Sequence, residues 1–119
     1  MLGRMRQLIL ATFAMCALVA CGESTLEPLP LDIKIETSRT TAAPGDTINF
    51  VVVTQGGVLL GIDIDYADGS GDQYGTGGAR TARVGFRHAY TGRGIYRVNA
   101  TVTDGTAGQK KAAVDIHIE

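Results

Sequence analysis

Residues 60–69 read LGIDIDYADG, and this stretch decides the fold. Its aliphatic residues alternate with glycine and aspartate, so they line one face of a strand while the polar residues line the other. The pair Asp68-Gly69 then ends the strand. An Asp side chain accepts hydrogen bonds from backbone N–H groups two residues ahead, and Gly adopts positive φ freely. The stretch therefore predicts a half-buried strand that stops at a tight turn.

The same two-residue period recurs on both sides of this stretch, whereas no helical period follows the N-terminal segment. The further strands are predicted at residues 31–36, 48–52, 82–86, 96–102 and 114–118. Gln55-Gly56-Gly57 is expected to break the second strand, and the glycine-rich residues 71–78 form a mobile loop or a short edge strand around Gln73-Tyr74. About seven short strands with frequent turns predict an all-β, Ig-like antiparallel β-sandwich. Its expected core consists of Phe50, Ile62, Ile64, Phe86, Val98 and Val102.

Residues 33–118 resemble the PKD domain, an Ig-like sandwich of extracellular and surface proteins. Residues 64–69 (IDYADG) are similar to its W-D-F-G-D-G signature, and residues 88–90 (HAY) to its H-x-Y. Residues 94–98 (GIYRV) are similar to its G-x-Y-x-V, and residues 44–50 (PGDTINF) to its entry into the second strand. Two departures are Ile64, where Trp is usual, and Ala67, where Gly is usual.

The resemblance implies a non-catalytic module that mediates protein or carbohydrate contacts. An accessory subunit of a secreted hydrolase is the alternative, because PKD domains often stand beside catalytic domains. Tyr96 follows Gly94 by two residues and opens a strand, which matches a tyrosine corner whose hydroxyl bonds nearby backbone. Tyr96, Asp68 and Gly69 are therefore predicted to be structural.

The N-terminal segment has the features of an export signal. Arg4 and Arg6 precede the uncharged residues 8–20, which are shorter than the roughly 20 apolar residues of a membrane-spanning helix. Residues 18–21 (LVAC) resemble the lipobox of bacterial lipoproteins. That resemblance implies a signal peptide helix over residues 1–20, acyl chains such as palmitate on Cys21, a lipidated Cys and tether over residues 21–30, and a folded domain over residues 31–119.

The anchor has consequences for charge, redox chemistry and location. Cleavage would remove Cys16 and commit Cys21 to lipid, so the mature domain is expected to fold without a disulfide. The net charge of −1 becomes −3 without Arg4 and Arg6, which argues against a nucleic-acid partner. The expected location is the cell envelope, and Gly22 after the Cys favours the outer membrane or cell surface in a host that has two membranes.

Two charged groups are candidate binding sites. Asp63, Asp65 and Asp68 form the densest acidic group and suggest a Ca²⁺ site, hence a Ca²⁺-dependent adhesion module. The spacing departs from an EF-hand loop, because Tyr74 stands where that loop has a bidentate Glu. The competing interpretation is two solvent-facing carboxylates and one turn residue. No other cofactor is expected.

The second group is basic and consists of Arg83, Arg87 and Arg97. It predicts a patch for an anionic glycan, a phospholipid head group or an acidic partner, or else an ordinary solvated face with cross-strand acidic partners. Catalysis is not expected. His88 and His117 lack metal-ligand spacing, and no Ser lies in a nucleophile motif with a paired base.

Overall fold

The computed structural model describes residues 29–119; the predicted signal peptide, Cys21 and most of the predicted tether lie outside the described residues. Within residues 29–119 there is no helix that could cross a bilayer. The described chain forms six strands: β1 (Asp32–Thr37), β2 (Thr41–Ala42), β3 (Thr47–Asp65), β4 (Gly71–Ala89), β5 (Gly94–Asp104) and β6 (Gly108–Ile118).

The strands build two sheet layers, because β3 and β4 each contribute to both. In the first sheet, the first half of β3 pairs with β1 on one side and with the second half of β4 on the other. In the second sheet, the second half of β3 pairs with the first half of β4 and with β5. Antiparallel β6 and the short parallel β2 continue that sheet. The fold is an all-β, Ig-like sandwich, as the alternating sequence predicts.

The crossover in β3 lies at the predicted strand break. The register of β3 shifts between Gln55 and Leu59 and again before Gly61, but the chain stays extended throughout. Gly56 sits at the bend, where an added Cβ would lie 2.5 Å from Oδ2 of Asp104. The glycines of this segment therefore bend a continuous strand from one sheet to the other rather than ending it.

Residues 71–78 belong to β4, so the mobile-loop prediction is wrong and the edge-strand alternative holds over a longer stretch. Gly71–Gly75 pairs with Gly61–Asp65 of β3. Gly77 and Gly78 have φ of 62° and 86°, and they mark the point where β4 turns from the second sheet into the first. Backbone pairing with β3 here overrides the low strand propensity of glycine.

The core lies between the two sheets, and all six predicted core residues are buried, which confirms that prediction. Ile64 occupies the position of the usual Trp and is also buried. Large aromatic side chains fill much of this end of the core. Tyr66 and Tyr90 are among the largest fully buried side chains, and the Tyr66 ring lies 5.7 Å from that of Phe50.

The two ends of the sandwich differ. At the entry end, defined by the β3 crossover and the β5–β6 turn, the described chain begins: Gln55 Nε2 donates to the Pro30 carbonyl at 3.1 Å. At the far end lie the turns at residues 66–70 and 90–94. The Ala43-to-Asp46 turn joins that end, where Gly45 N donates to the Tyr90 carbonyl at 2.8 Å.

Candidate functional site

The turn at residues 66–70 is held by the Asp68 carboxylate. Its Oδ1 accepts hydrogen bonds from the Ser70 backbone N–H at 3.0 Å and from the Ser70 hydroxyl at 2.6 Å. Tyr66 N closes the turn by donating to the Ser70 carbonyl at 3.0 Å. Gly69 has φ of 92°, which explains the glycine of the predicted Asp68-Gly69 turn. Ala67 has φ of 69°, an uncommon conformation for a residue with a Cβ.

His88 connects this turn to β4. Its Nε2 lies 2.6 Å from Oδ2 of Asp68, and its ring stacks parallel to the Tyr66 ring with centroids 4.0 Å apart. The Tyr90 ring meets it edge-on at 4.7 Å. Desolvation opposes ionisation of Asp68, but the bonds from Ser70 and His88 outweigh it and lower the pKa of the carboxyl. The H-x-Y segment thus fastens the turn to the first sheet.

Three tyrosine hydroxyls of this aromatic cluster are engaged in hydrogen bonds. Tyr66 donates to Oδ2 of Asp72 at 2.7 Å, and Tyr90 donates to the Tyr66 carbonyl at 2.8 Å. Tyr96 donates to the Gly92 carbonyl at 2.8 Å and stacks on Tyr90 at 4.2 Å, which is the geometry of a tyrosine corner. Burial is the main cause that raises the pKa of Tyr66 and of Tyr90.

An Asp–His pair beside tyrosines has the components of an acid–base site, but this arrangement serves packing. The His88 ring is covered by Tyr66 on one face and approached by Tyr90, and its side chain is 17% exposed. A general base must reach a substrate proton, and here Nε2 of His88 is engaged with the Asp68 carboxylate. We interpret the cluster as a clamp between the turn and the two sheets.

The predicted acidic group is dispersed over the far end of the molecule. Asp63 and Asp65 alternate with buried Ile62 and Ile64, so they project from the outer face of the second sheet. Asp65 Oδ1 accepts from the Ala67 N–H at 2.9 Å, and Asp68 is occupied by its own turn. Among residues 29–119, no three His, Cys, Asp or Glu side chains are gathered as a metal site.

The predicted basic group is divided between the sheets. Arg83 and Arg87 project from the outer face of the first sheet, where they alternate with Val84 and Phe86 of the inner face. Arg97 lies on β5 in the second sheet and pairs with Asp115 at 3.1 Å. Side chains alternate between the two faces in the same way along β4 and β5. The sequence therefore does not show that the arginines of these two strands lie on different sheets.

Asp104 is a structural carboxylate at the entry end, where it is 4% exposed. Its Oδ2 accepts from the N–H groups of Gly57 and Val58, both at 2.8 Å. Its Oδ1 accepts from Thr106 N–H and hydroxyl at 2.8 Å and from Ala107 N–H at 3.0 Å. The Thr106 N–H and hydroxyl, followed by the other donors, hold the pKa of Asp104 far below its ordinary value. This carboxylate joins the β3 crossover to the β5–β6 turn.

A groove of about 420 Å³ runs between the two halves of β4. Val84 and Phe86 of the first sheet form one wall, and Asp72 and Tyr74 of the second sheet form the other. The Tyr74 side chain is on the core side of its strand, opposite Ile62, yet it is 52% exposed because the strand is at the edge of its sheet. The sequence does not indicate this groove, because residues 71–78 were expected to be a loop.

Comparison with solved structures places this sandwich among PKD-like and CARDB domains. It is similar to the PKD domain of an M14-like peptidase from a Thermoplasmatales archaeon, with 21% identity and a TM-score of 0.62 over 77% of this chain and 96% of that domain. It is also similar to the PKD domain of the human VPS10 domain-containing receptor SorCS2, with 24% identity and a TM-score of 0.53 over 82% of each chain.

A third similar structure is the CARDB domain of a Pyrococcus furiosus protein, described in complex with di-metal ions, with 18% identity and a TM-score of 0.59 over 80% of this chain and 97% of that domain. No protein-family profile and no curated protein sequence matches the chain. At these identities the likeness establishes the fold alone, which is an Ig-like sandwich of the kind seen in PKD and CARDB domains.

Proposed function

We propose that the protein is a lipid-anchored, extracytoplasmic binding or spacer module that makes non-catalytic contacts with a protein or a carbohydrate. The observation that carries the proposal is an Ig-like sandwich of the PKD kind directly preceded by a segment resembling a lipobox signal. The engaged state of His88 and the three tyrosine hydroxyls supports a role without catalysis.

The position of the entry end sets the orientation that the proposed anchor would impose. The described chain begins at the entry end, where Pro30 contacts Gln55. A lipid on Cys21 would therefore hold this end toward the bilayer, and the tyrosine-rich far end would point away from it. The expected location is the cell envelope, on the outer membrane or cell surface of a two-membrane host. Two or three acyl chains are needed for stable anchoring, because one chain binds only marginally.

Metabolic labelling with an alkyne fatty acid tests the anchor. The natural chain should incorporate the label and sediment with membranes, and Cys21→Ser should abolish both. Cys16→Ser is the matched control, because it changes the other Cys of the same segment, and it should leave labelling intact. Membrane association of Cys21→Ser equal to that of the natural chain would contradict lipid anchoring.

Two alternative roles have specific support. The archaeal peptidase PKD domain favours an accessory subunit of a secreted hydrolase, and crosslinking in intact cells followed by affinity purification would recover that enzyme. The CARDB structure described with metal ions is the ground for the second alternative, a Ca²⁺-dependent adhesion role through Asp63, Asp65 and Asp68, whose carboxylates would have to come together on binding the ion. A Ca²⁺ titration that raises the melting temperature would support that role, and an unchanged melting temperature would exclude it.

A further inference from the structure

The second half of β4, residues 81–89, is an open edge of the first sheet. It pairs with β3 on one side, and among the described residues no strand pairs with its other side. Half of its backbone N–H and C=O groups therefore face solvent, ready to pair with another extended chain. This edge carries no proline, and the nearest positive-φ glycines are at Gly77 and Gly78, before it begins.

The side chains along this edge alternate in a way that selects a partner. Arg83 and Arg87 project outward with Gly85 between them, where an added Cβ would meet nothing within 4 Å. Arg83 forms a 3.2 Å ion pair with Glu36 at an exposed site, and Arg87 has no ion pair within residues 29–119. An added strand would place its outward side chains beside these two guanidinium groups.

The inward side chains of an added strand would enter the groove between the two halves of β4. Val84 and Phe86 on one wall and Tyr74 on the other supply the apolar part of that groove, whose lining is otherwise polar. Asp72 also lines the groove, and its Oδ2 accepts a hydrogen bond from the Tyr66 hydroxyl. An acidic residue pointing into the groove would meet that carboxylate, so apolar residues that contact Val84, Phe86 and Tyr74 fit the inward positions better than acidic ones.

We propose that the edge of residues 81–89 binds an extended segment of a protein partner as an added strand, with acidic residues on its outward positions and apolar residues between them. The partner recognition follows from backbone pairing plus alternating pockets. A second copy of this chain fits less well, because pairing about Gly85 would place Arg83 opposite Arg87 of the other copy. This proposal deepens the proposed binding role and is independent of the lipid anchor.

The test uses the full-length protein in detergent and a capped peptide of about nine residues in which Glu alternates with Val. One control peptide carries Lys in place of Glu, and another carries the Glu–Val sequence with alternate backbone nitrogens methylated. The Glu–Val peptide should bind. It should also slow hydrogen exchange at those backbone amides of residues 81–89 that do not pair with β3. Neither control peptide should bind.

Matched double variants separate this edge from general charge. Replacing Arg83 and Arg87 with Gln should weaken peptide binding by about fivefold or more, the effect of losing two exposed charge pairs. Replacing Arg93 and Arg97 with Gln removes the same charge elsewhere and should change binding by less than about twofold. Equal binding of the methylated peptide, equal effects of the two double variants, or absence of binding at millimolar peptide would each overturn the proposal. A failure of Cys21 labelling would overturn the lipid anchor and leave these peptide results unaffected.

Discussion

The turn at residue 67 can be tested with an Ala-to-Gly substitution. This substitution is expected to raise the stability of the fold at residue 67 and to lower it at a control position. Ala67 has φ of 69°, and a residue with a Cβ is strained in that conformation by about 1–2 kcal/mol. Ala67→Gly removes that strain. Glycine also gives the unfolded chain more freedom, which costs about 0.4–1 kcal/mol. The net expectation is a stabilisation of roughly 0.5–1 kcal/mol.

Ala113→Gly is the matched control. Ala113 lies within β6, is exposed and is not among the positive-φ residues. Glycine in a strand interior loses about 0.5–1 kcal/mol relative to alanine, so this variant should be less stable. For a domain of this size, 1 kcal/mol shifts the melting temperature by about 4–8 °C, which thermal denaturation resolves readily.

The two substitutions should therefore move the melting temperature in opposite directions, with Ala67→Gly above the natural protein and Ala113→Gly below it. Urea denaturation should give the same order with an unchanged slope. If Ala67→Gly lowered stability as much as Ala113→Gly does, the left-handed conformation at residue 67 and the turn geometry derived from it would be refuted.

Three further predictions concern the two ends of the sandwich. Tyr96→Phe removes the hydroxyl that bonds the Gly92 carbonyl and should destabilise the fold by about 1 kcal/mol; an unchanged urea midpoint would argue against the tyrosine corner. Because the folded-state pKa of Asp104 is lowered, its stabilising effect is complete above about pH 5 and is lost as the pH falls below about 4. Asp104→Asn should accordingly flatten the acid limb of the stability profile measured by denaturation, and an unaltered limb would count against this role. Gly56→Ala should lower the melting temperature more than Gly75→Ala, because a Cβ at residue 56 meets Oδ2 of Asp104 at 2.5 Å and one at residue 75 meets nothing within 4 Å; equal shifts would contradict the crossover geometry.

The sequence predicts the two-layer architecture well, because the signals for strands and turns come from residues that are close together in the chain. The alternation around Ile62 and Ile64 identifies the buried face of β3, and the Asp68-Gly69 pair identifies the turn that follows. Both signals depend on nearest neighbours along one strand. The sequence also marks the bends, since Gly56 and Gly77 lie where β3 and β4 change sheets, although Gly56 was expected to break its strand and Gly77 to lie in a glycine-rich loop.

The candidate sites depend on which strands become neighbours, and that information is not local. Asp104 collects donors from Gly57 and Val58, nearly fifty residues earlier in the chain. Arg83 and Arg97 have similar surroundings in the sequence, but they are on opposite sheets. The groove beside Tyr74 exists because the two halves of β4 form the free edges of both sheets. Such placements follow from topology rather than from any motif.

The clamp around His88 gives physical reasons for the PKD-like motifs. Asp68 holds its own turn and His88, while Tyr90 bonds the Tyr66 carbonyl across the core. The segment of residues 64–69 thereby forms the turn, and the H-x-Y segment attaches this turn to the first sheet. These side chains are engaged in contacts within the fold. The open edge of β4 is therefore the better candidate for a binding surface.

The central claim is that an Ig-like domain stands on a lipid carried by Cys21, and intact-mass spectrometry of the protein extracted from membranes tests it most directly. The account predicts a chain that begins at Cys21 and carries the additional mass of its acyl chains. Its Cys21→Ser counterpart should lack that mass. A membrane-derived chain that retains residues 1–20, or one that begins at Cys21 without added lipid, would contradict the claim.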